Sequence, residues 1–551
     1  MKNSVKEHNE AFTICKKTGK LHQKTSSKNK IRNSLVVFIV LNLLWLIFRT
    51  GTKPSRIVYP CQQTALKNIG LALGSLIPMI SISVFFLDKK EWKNHLKKLI
   101  LVLLIFTPIS SGLLLQQVSS GSEVALLINP VETNDLYSTD IFVVNGREVS
   151  HIEDLINLMG SNGLLFYQSE NAGLNQGPTG LISDDDVTLI KINCQWSERG
   201  GTNTDTLKEL VEAIISHPDG FKGEIIVADN GQGRGSMDWS QTNAEDKKQS
   251  TQDVVNLFSS TYNVSTYLWD EISSSNVDEF STGDMDDGYF VYDTADIETE
   301  IIPSYPKFTT PFGTKVSFKY GIWNGTSYEQ KLKVINMPVL KSHSSYGVTA
   351  TLKHYMGVQT QSLANGHDTI DTGGMGTLMV EFGVPTLNII DAIWINANPE
   401  TSRFVGPGTS YSVATRTNIL IAGLDSVALD YWSAKHILMP VAELIGYTDT
   451  YSLDPSSSKS TGLTEAFGIW LNNTKAELIR GGYNVTTNEQ KINVHANSLV
   501  LDIEVVKNHH LWMWFGISGS IIVLVSIITV VSIKIVKKRR NKINEVHLDK
   551  S

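Results

Sequence analysis

The chain has 551 residues and a formal net charge of −7 at neutral pH. That average conceals a split. Residues 116–510 carry 49 acidic and 23 basic side chains, a net of −26, and the two ends carry 6 and 25, a net of +19. So acidic a middle section argues for no nucleic acid among the partners. Three cysteines with no Cys-x-x-Cys pair exclude a disulfide framework and argue against a zinc ribbon or an iron–sulfur cluster.

In chain order, the first 34 residues hold nine Lys and Arg and read as a basic cytoplasmic tail. Apolar runs at 35–48, 69–87 and 99–115 approach the length a bilayer needs and are expected to be three transmembrane helices. A fourth run, 511–533, has Trp512 and Trp514 at one edge and a Lys/Arg cluster at 534–540 beyond the other. The positive-inside rule then predicts a multi-pass protein of the cell membrane, with 116–510 outside the cytoplasm and a basic tail, 534–551, inside.

The acidic section opens with VTLIKIN (187–193), TDTLKELVEAIISH (204–217) and GEIIVADNG (223–231). Two β-branched runs flank a segment with helical apolar spacing, which predicts a βαβ unit. Residues 236–332 are rich in Ser, Thr, Asp and Asn and read as an insertion or cap with short strands such as 315–323. GDMDDG (283–288) misses the calcium-loop spacing and reads as a solvated acidic turn. KLKVINMPVL (331–340) predicts a strand with Pro338 at a bulge or edge, followed by a helix over 348–356. Segments 383–395 and 417–430 are further strands, the second leading into a helix over 426–438. The expected fold class is α/β: a mostly parallel open sheet with helices on both faces, a Ser/Thr/Asp-rich insertion, and transmembrane helices anchoring both ends.

Ligands of such sheets bind in the crevice outside the carboxyl ends of the strands. Those ends carry Lys191 and Asn193, then Asp229 and Asn230, Lys341 and His343, Asp391, and Asp425, with a Gly/Pro loop over 403–411 between the last two. Solvation or helix capping explains any one of these, whereas their joint occurrence points to a site. A helix capped by Ser344 or Ser345 would aim its free N–H groups at an anion beside Lys341 and His343. Ser345, Thr349 and Lys353 would then share one helix face, with His354 lying outside the site.

His343, Lys341 and Asp391 are the expected catalytic residues. Lys191, Asn193, Asp229, Thr349 and Lys353 are the expected substrate-binding residues, and Asp425 and Asp430 the candidate ligands of a divalent metal.

The motifs VTLIKIN, IVADNGQG, NMPVLKSHSSYGVTATLKHYMGV, IIDAI with GPGT, and ILIAGLDSVALD stand in an order that resembles the family called domain of unknown function 362. The resemblance covers roughly residues 120–440 and implies that the strand-end residues recur together as one set. His354 stands where that family often has Asn. The ferredoxin-like cluster domain of many relatives has no cysteines to hold it here, and the family implies no settled reaction.

The expected function is therefore a membrane-anchored extracytoplasmic protein of this type, an enzyme or a binder. It would take an anionic small molecule or polymer end in the crevice, with or without a divalent metal. The alternative is a non-catalytic ectodomain that binds a ligand or a surface partner.

Overall fold

The structure is a computed structural model that describes residues 138–146, 151–399, 407–459 and 466–498, with the strands Phe12–Ile14, Leu21–Gln23, Glu123–Leu127 and Val500–Glu504. The chain divides into two units, 119–508 in one and 1–118 with 509–551 in the other. In the second of these, Phe12–Ile14 pairs antiparallel with Leu21–Gln23.

The unit 119–508 is built on one large twelve-stranded sheet. Its central strands are β1 (Thr139–Asn145), β2 (Val187–Lys191), β3 (Glu224–Asp229), β4 (Asn263–Leu268), β5 (Leu332–Asn336), β6 (Val339–His343), β7 (Gly347–Thr349), β8 (Leu387–Asn396), β9 (Thr415–Gly423) and β10 (Ile492–Ala496). The lateral order is β10-β1-β9-β8-β5-β2-β3-β4. From β8 to β4 every neighbouring pair is parallel, and β9 runs against both of its neighbours. Every residue of β2 and β3 is buried, as strands covered on both faces require.

Two cores result, one per face, because successive side chains of a strand point to opposite sides. Leu189, Ile226, Ile390 and Ile421 belong to one core, and Ile190, Val227, Ile389 and Leu420 to the other. The second core is closed by α1 (Ile152–Ser161), α2 (Thr204–Ile215) and α3 (Thr251–Phe258). The first is closed by α4 (Thr351–His354), α5 (Gly374–Phe382), α6 (Ser426–Ser433) and α7 (Phe467–Arg480). Each fully buried Leu or Ile contributes about 2 kcal/mol by leaving water.

Several expectations are corrected. Among the described residues no helix is long and apolar enough to cross a membrane. Anchoring by transmembrane helices therefore has no support from the structure. The multi-pass membrane location, and the placement of 116–510 outside the cytoplasm that followed from it, likewise have no support from the structure. The runs 35–48, 69–87, 99–115 and 511–533 lie outside the described residues.

The insertion is shorter than expected, because within 236–332 β4 joins the main sheet and α3 packs in the core on one of its faces. Only the following antiparallel five-stranded sheet, Gly288–Val291 through Tyr328–Glu329, stands apart from it. The single strand expected over 315–323 is two, Lys315–Ser317 and Gly321–Trp323, joined by a turn. Likewise Met337–Pro338 breaks 331–340 into β5 and the start of β6, since proline has no N–H for a ladder.

The largest local correction falls on 344–356. Ser344 and Ser345 cap no helix; they sit in the turn between β6 and β7, which pair antiparallel with Lys341 opposite Thr349. Gly347 closes that turn at a φ of 77°, and a Cβ there would meet the Ser452 carbonyl oxygen at 2.1 Å. The helix begins only at Thr351, and its N-terminal N–H groups are already occupied. Asp430 of α6 accepts from Thr351 N at 2.8 Å, from Leu352 N at 3.1 Å and from the Thr351 hydroxyl.

Replacing Asp430 with Ala orphans these buried donors, each costing about 1–3 kcal/mol. Asp430→Ala is expected to lower stability by about 3 kcal/mol, and a thermal unfolding midpoint equal to that of the parent chain would contradict this.

Candidate functional site

The parallel strands place the site. The chain runs from β2 outward to β3 and β4, then returns to lay β5 against the other side of β2. That reversal is a topological switch point, where an open α/β sheet leaves a crevice at its carboxyl edge. A cavity of about 370 Å³ lies there. Its lining includes Lys191 from the end of β2, Asp229 from β3, Lys341 and His343 from β6, Thr349 from β7, and Lys353 and His354 from α4.

The floor is a buried ion pair. Lys191 Nζ donates to Asp229 Oδ1 at 2.7 Å, with Lys191 at 0 % exposure. Asp229 Oδ2 accepts from Cys194 N at 2.9 Å, so both oxygens of the carboxylate are engaged. The backbone of Gly357 lies against this pair: a Cβ there would meet both Lys191 Nζ and Asp229 Oδ1 at 2.8 Å. Only glycine lets the turn after α4 approach so closely.

Lys341, also at 0 % exposure, donates from Nζ to the Gly200 carbonyl oxygen at 2.6 Å. Burial, then the neighbouring Lys353 charge, pushes its ammonium down to about 7. Lys353 is 8 % exposed and lies 4.6 Å over the Tyr346 ring. Its Nζ has no hydrogen-bond partner among the described residues. Burial, then Lys191, pushes it down to about 8.

The three imidazoles differ in their duties. His343 accepts from Ser345 N through Nδ1 at 3.1 Å, which leaves the proton on Nε2. Burial, with Lys353 and Lys341 nearby, pushes His343 well below its ordinary value. Burial, with Lys353, pushes His367 to about 4. His354 is a strut: its ring nitrogens face Asn336 Oδ1 at 2.7 Å and the Ile192 carbonyl oxygen at 2.8 Å. It lines the cavity, where the sequence placed it outside.

Gln195, Trp196, Gln232 and Pro407 also line the cavity, and the exposed Arg234 stands at its mouth with its guanidinium 5.3 Å from the Trp196 ring. Asn193 lines the cavity as well, with its Oδ1 accepting from Val339 N at 2.8 Å. Thr349 presents a buried Oγ1 without a hydrogen-bond partner among the described residues.

Lys191, Asn193, Asp229, Lys341, His343, Thr349 and Lys353 are thus brought together. The other three candidates are not among the lining residues. Asp391 accepts from Asn203 N at 2.8 Å, Ile393 N at 3.1 Å and Asn243 Nδ2 at 3.3 Å, and ties β8 to the start of α2. Asp425 caps α6 through Val427 N and Ala428 N and also accepts from Thr486 N.

Asp430 caps α4, so neither Asp425 nor Asp430 offers free oxygens to a cation. Among the described residues no group of three or more His, Cys, Asp and Glu side chains is arranged to hold a metal ion.

Sequence reasoning missed Arg234, Trp196, Tyr346, His367 and Gly357. The glycine-rich GQGRG directly after Asp229 and Asn230 was a signal for Arg234, since such a loop follows the strand end closely. His367 lies in a stretch without regular periodicity and gave none.

Residues 323–435 match the family described as Domain of unknown function (DUF362). Over this stretch the chain resembles that family. No curated protein and no solved structure matches. The DUF362 stretch holds Lys341, His343, Thr349 and Lys353, whereas Lys191, Asn193 and Asp229 lie before it. The motifs VTLIKIN and IVADNGQG therefore fall outside the match.

Gly357→Ala is expected to cost about 1–3 kcal/mol, because the methyl group must displace the Lys191–Asp229 pair. Chemical denaturation checks this, and an unchanged midpoint would show that the turn yields freely.

Proposed function

We propose that the cavity binds the anionic group of a small molecule or a polymer end. The observation that carries this reading is an imbalance of charge. Lys191, Lys341, Lys353 and Arg234 line the cavity, and Asp229 is the one carboxylate among the lining residues. Asp229 is committed to Lys191. Among the described residues Lys353 is left with a π face and no acceptor.

Burying an ammonium without a partner costs several kcal/mol, and a bound anion offsets that cost directly. Thr349 Oγ1 is a further donor without a partner among the described residues. Arg234 at the mouth can pair with a carboxylate or phosphate in two-pronged fashion. The surrounding section has a net charge of −26, so attraction must come from these local cations and not from the long-range field.

Sulfate is the cleanest probe, because its own charge is constant near neutral pH. Calorimetric titration of the full chain is expected to show binding, and Lys353→Met to weaken it about tenfold or more, the worth of one charge-assisted hydrogen bond. Undiminished affinity in both Lys353→Met and Lys341→Met would sink the proposal.

The pH dependence has a definite sign. In the free protein Lys341 and Lys353 release protons near about 7 and about 8. A bound anion favours their charged forms, so the complex holds more protons than the free protein. Sulfate affinity is therefore expected to fall as pH rises through that window, and a flat profile would contradict the assignment of these two lysines.

A further inference from the structure

The three cavity lysines are not equivalent. Lys191 is fully buried and spent on Asp229. Lys341 is fully buried and held by the Gly200 carbonyl oxygen. Lys353 alone among them retains exposure to the cavity and has an uncommitted nitrogen among the described residues. Tyr346 supports it from one side, and α4, pinned by Asp430, fixes its origin.

We infer that Lys353 is a nucleophile that condenses with the carbonyl carbon of an anionic carbonyl compound to form an imine. The compound's carboxylate or phosphate pairs with Arg234 and Thr349 and not with Lys353, which only an anion lacking the carbonyl engages, so binding this compound does not force a proton onto the nucleophile. This rests on the reading of the cavity as an anion site and adds a reaction class to it.

The steps balance without any oxidant or reductant. The Nζ lone pair attacks the carbonyl carbon, a C–N bond forms, and the carbonyl π pair moves to oxygen. One proton passes from nitrogen to that oxygen and gives a neutral carbinolamine. The hydroxyl then leaves as water, taking a proton from the Lys341 ammonium, and the nitrogen lone pair closes the C=N bond. The product is an iminium ion that keeps one positive charge, and Lys341 is left as a neutral amine.

An amine attacks only when unprotonated, and two features of the site supply that form. Lys353 is desolvated, and another ammonium lies nearby, the two devices by which proteins make lysine nucleophilic. Its downward push to about 8 leaves a usable neutral fraction near physiological pH. Lys341, pushed to about 7, is suited to give up a proton and take it back. Exposed lysines such as Lys208 and Lys331, paired with Glu212 and Asp185 at the surface, have neither feature.

The test uses the full chain with pyruvate or dihydroxyacetone phosphate as probe and sodium borohydride to reduce any imine to a stable amine. Peptide mass spectrometry then locates the adduct. The expected result is an adduct with one of the probes at Lys353, in preference to Lys208 and Lys331, and its loss in Lys353→Arg. That variant keeps the charge but cannot form an imine.

In parallel, displacement of sulfate by each probe is measured without borohydride. Displacement with no adduct at Lys353 overturns the imine and leaves the anion site standing. Absence of both sulfate binding and adduct overturns both readings. An adduct at Lys191 or Lys341, or one spread evenly over surface lysines, overturns the assignment to Lys353.

Discussion

A lysine ammonium with no access to water must find an acceptor inside the protein, and the cavity depends on how that need is met at Lys191. Asp229 meets it at 2.7 Å and accepts Cys194 N with its other oxygen. One carboxylate thereby ties the ends of two adjacent parallel strands to the loop that follows the first. With Asp229 spent in this way, the remaining cations of the cavity have no acid of their own among its lining residues. Gly357 completes the arrangement by letting the turn after α4 lie directly on the pair. The neighbouring lysine of that helix is then brought into the same space, and its ammonium is depressed by burial and then by the Lys191 charge.

The sheet was legible because strands buried on both faces must be apolar throughout, so Val187–Lys191 and Glu224–Asp229 stand out as runs. The helix between them follows from the spacing of Leu207, Leu210, Val211 and Ile214, and its cap Asn203 accepts from Asp205 N and Thr206 N. Residues 344–349 were misread because Ser345, Thr349 and Lys353 satisfy helical spacing by coincidence. Thr349 faces Lys341 across a hairpin, and Lys353 arrives from a separate helix. Both geometries bring the same side chains together, so the site residues were recovered from a wrong local structure. Gly347 was the overlooked signal, since a tight reversal needs a residue that tolerates positive φ.

The acidic candidates show the limit of reading strand ends. Asp391, Asp425 and Asp430 are all almost fully buried, and burial pushes each carboxyl up, to about 6, about 7 and about 7. In sequence they look like the acids of a catalytic or metal site. In space each is saturated by backbone N–H groups that no sequence pattern reveals, because the donors come from residues as distant as Asn203, Thr486 and Thr351. The Asp-x-x-x-x-Asp spacing of 425–430 therefore reports packing of α6 against its neighbours. The same caution applies to α4: its N-terminus resembles a vacant anion site until Asp430 is placed on it.

That cap also has a temporal meaning. Lys191 and its partner are synthesised early, and the strands that carry them can pair once residue 229 has emerged. The helix that delivers Lys353 is made later, yet its first N–H groups find their acceptor only when Asp430 appears, 79 residues after Thr351. A nascent chain grows from its N-terminus, and folding of such a unit follows synthesis. The helix that carries Lys353 can thus be pinned only after residue 430 has been made, by a residue that does not line the cavity.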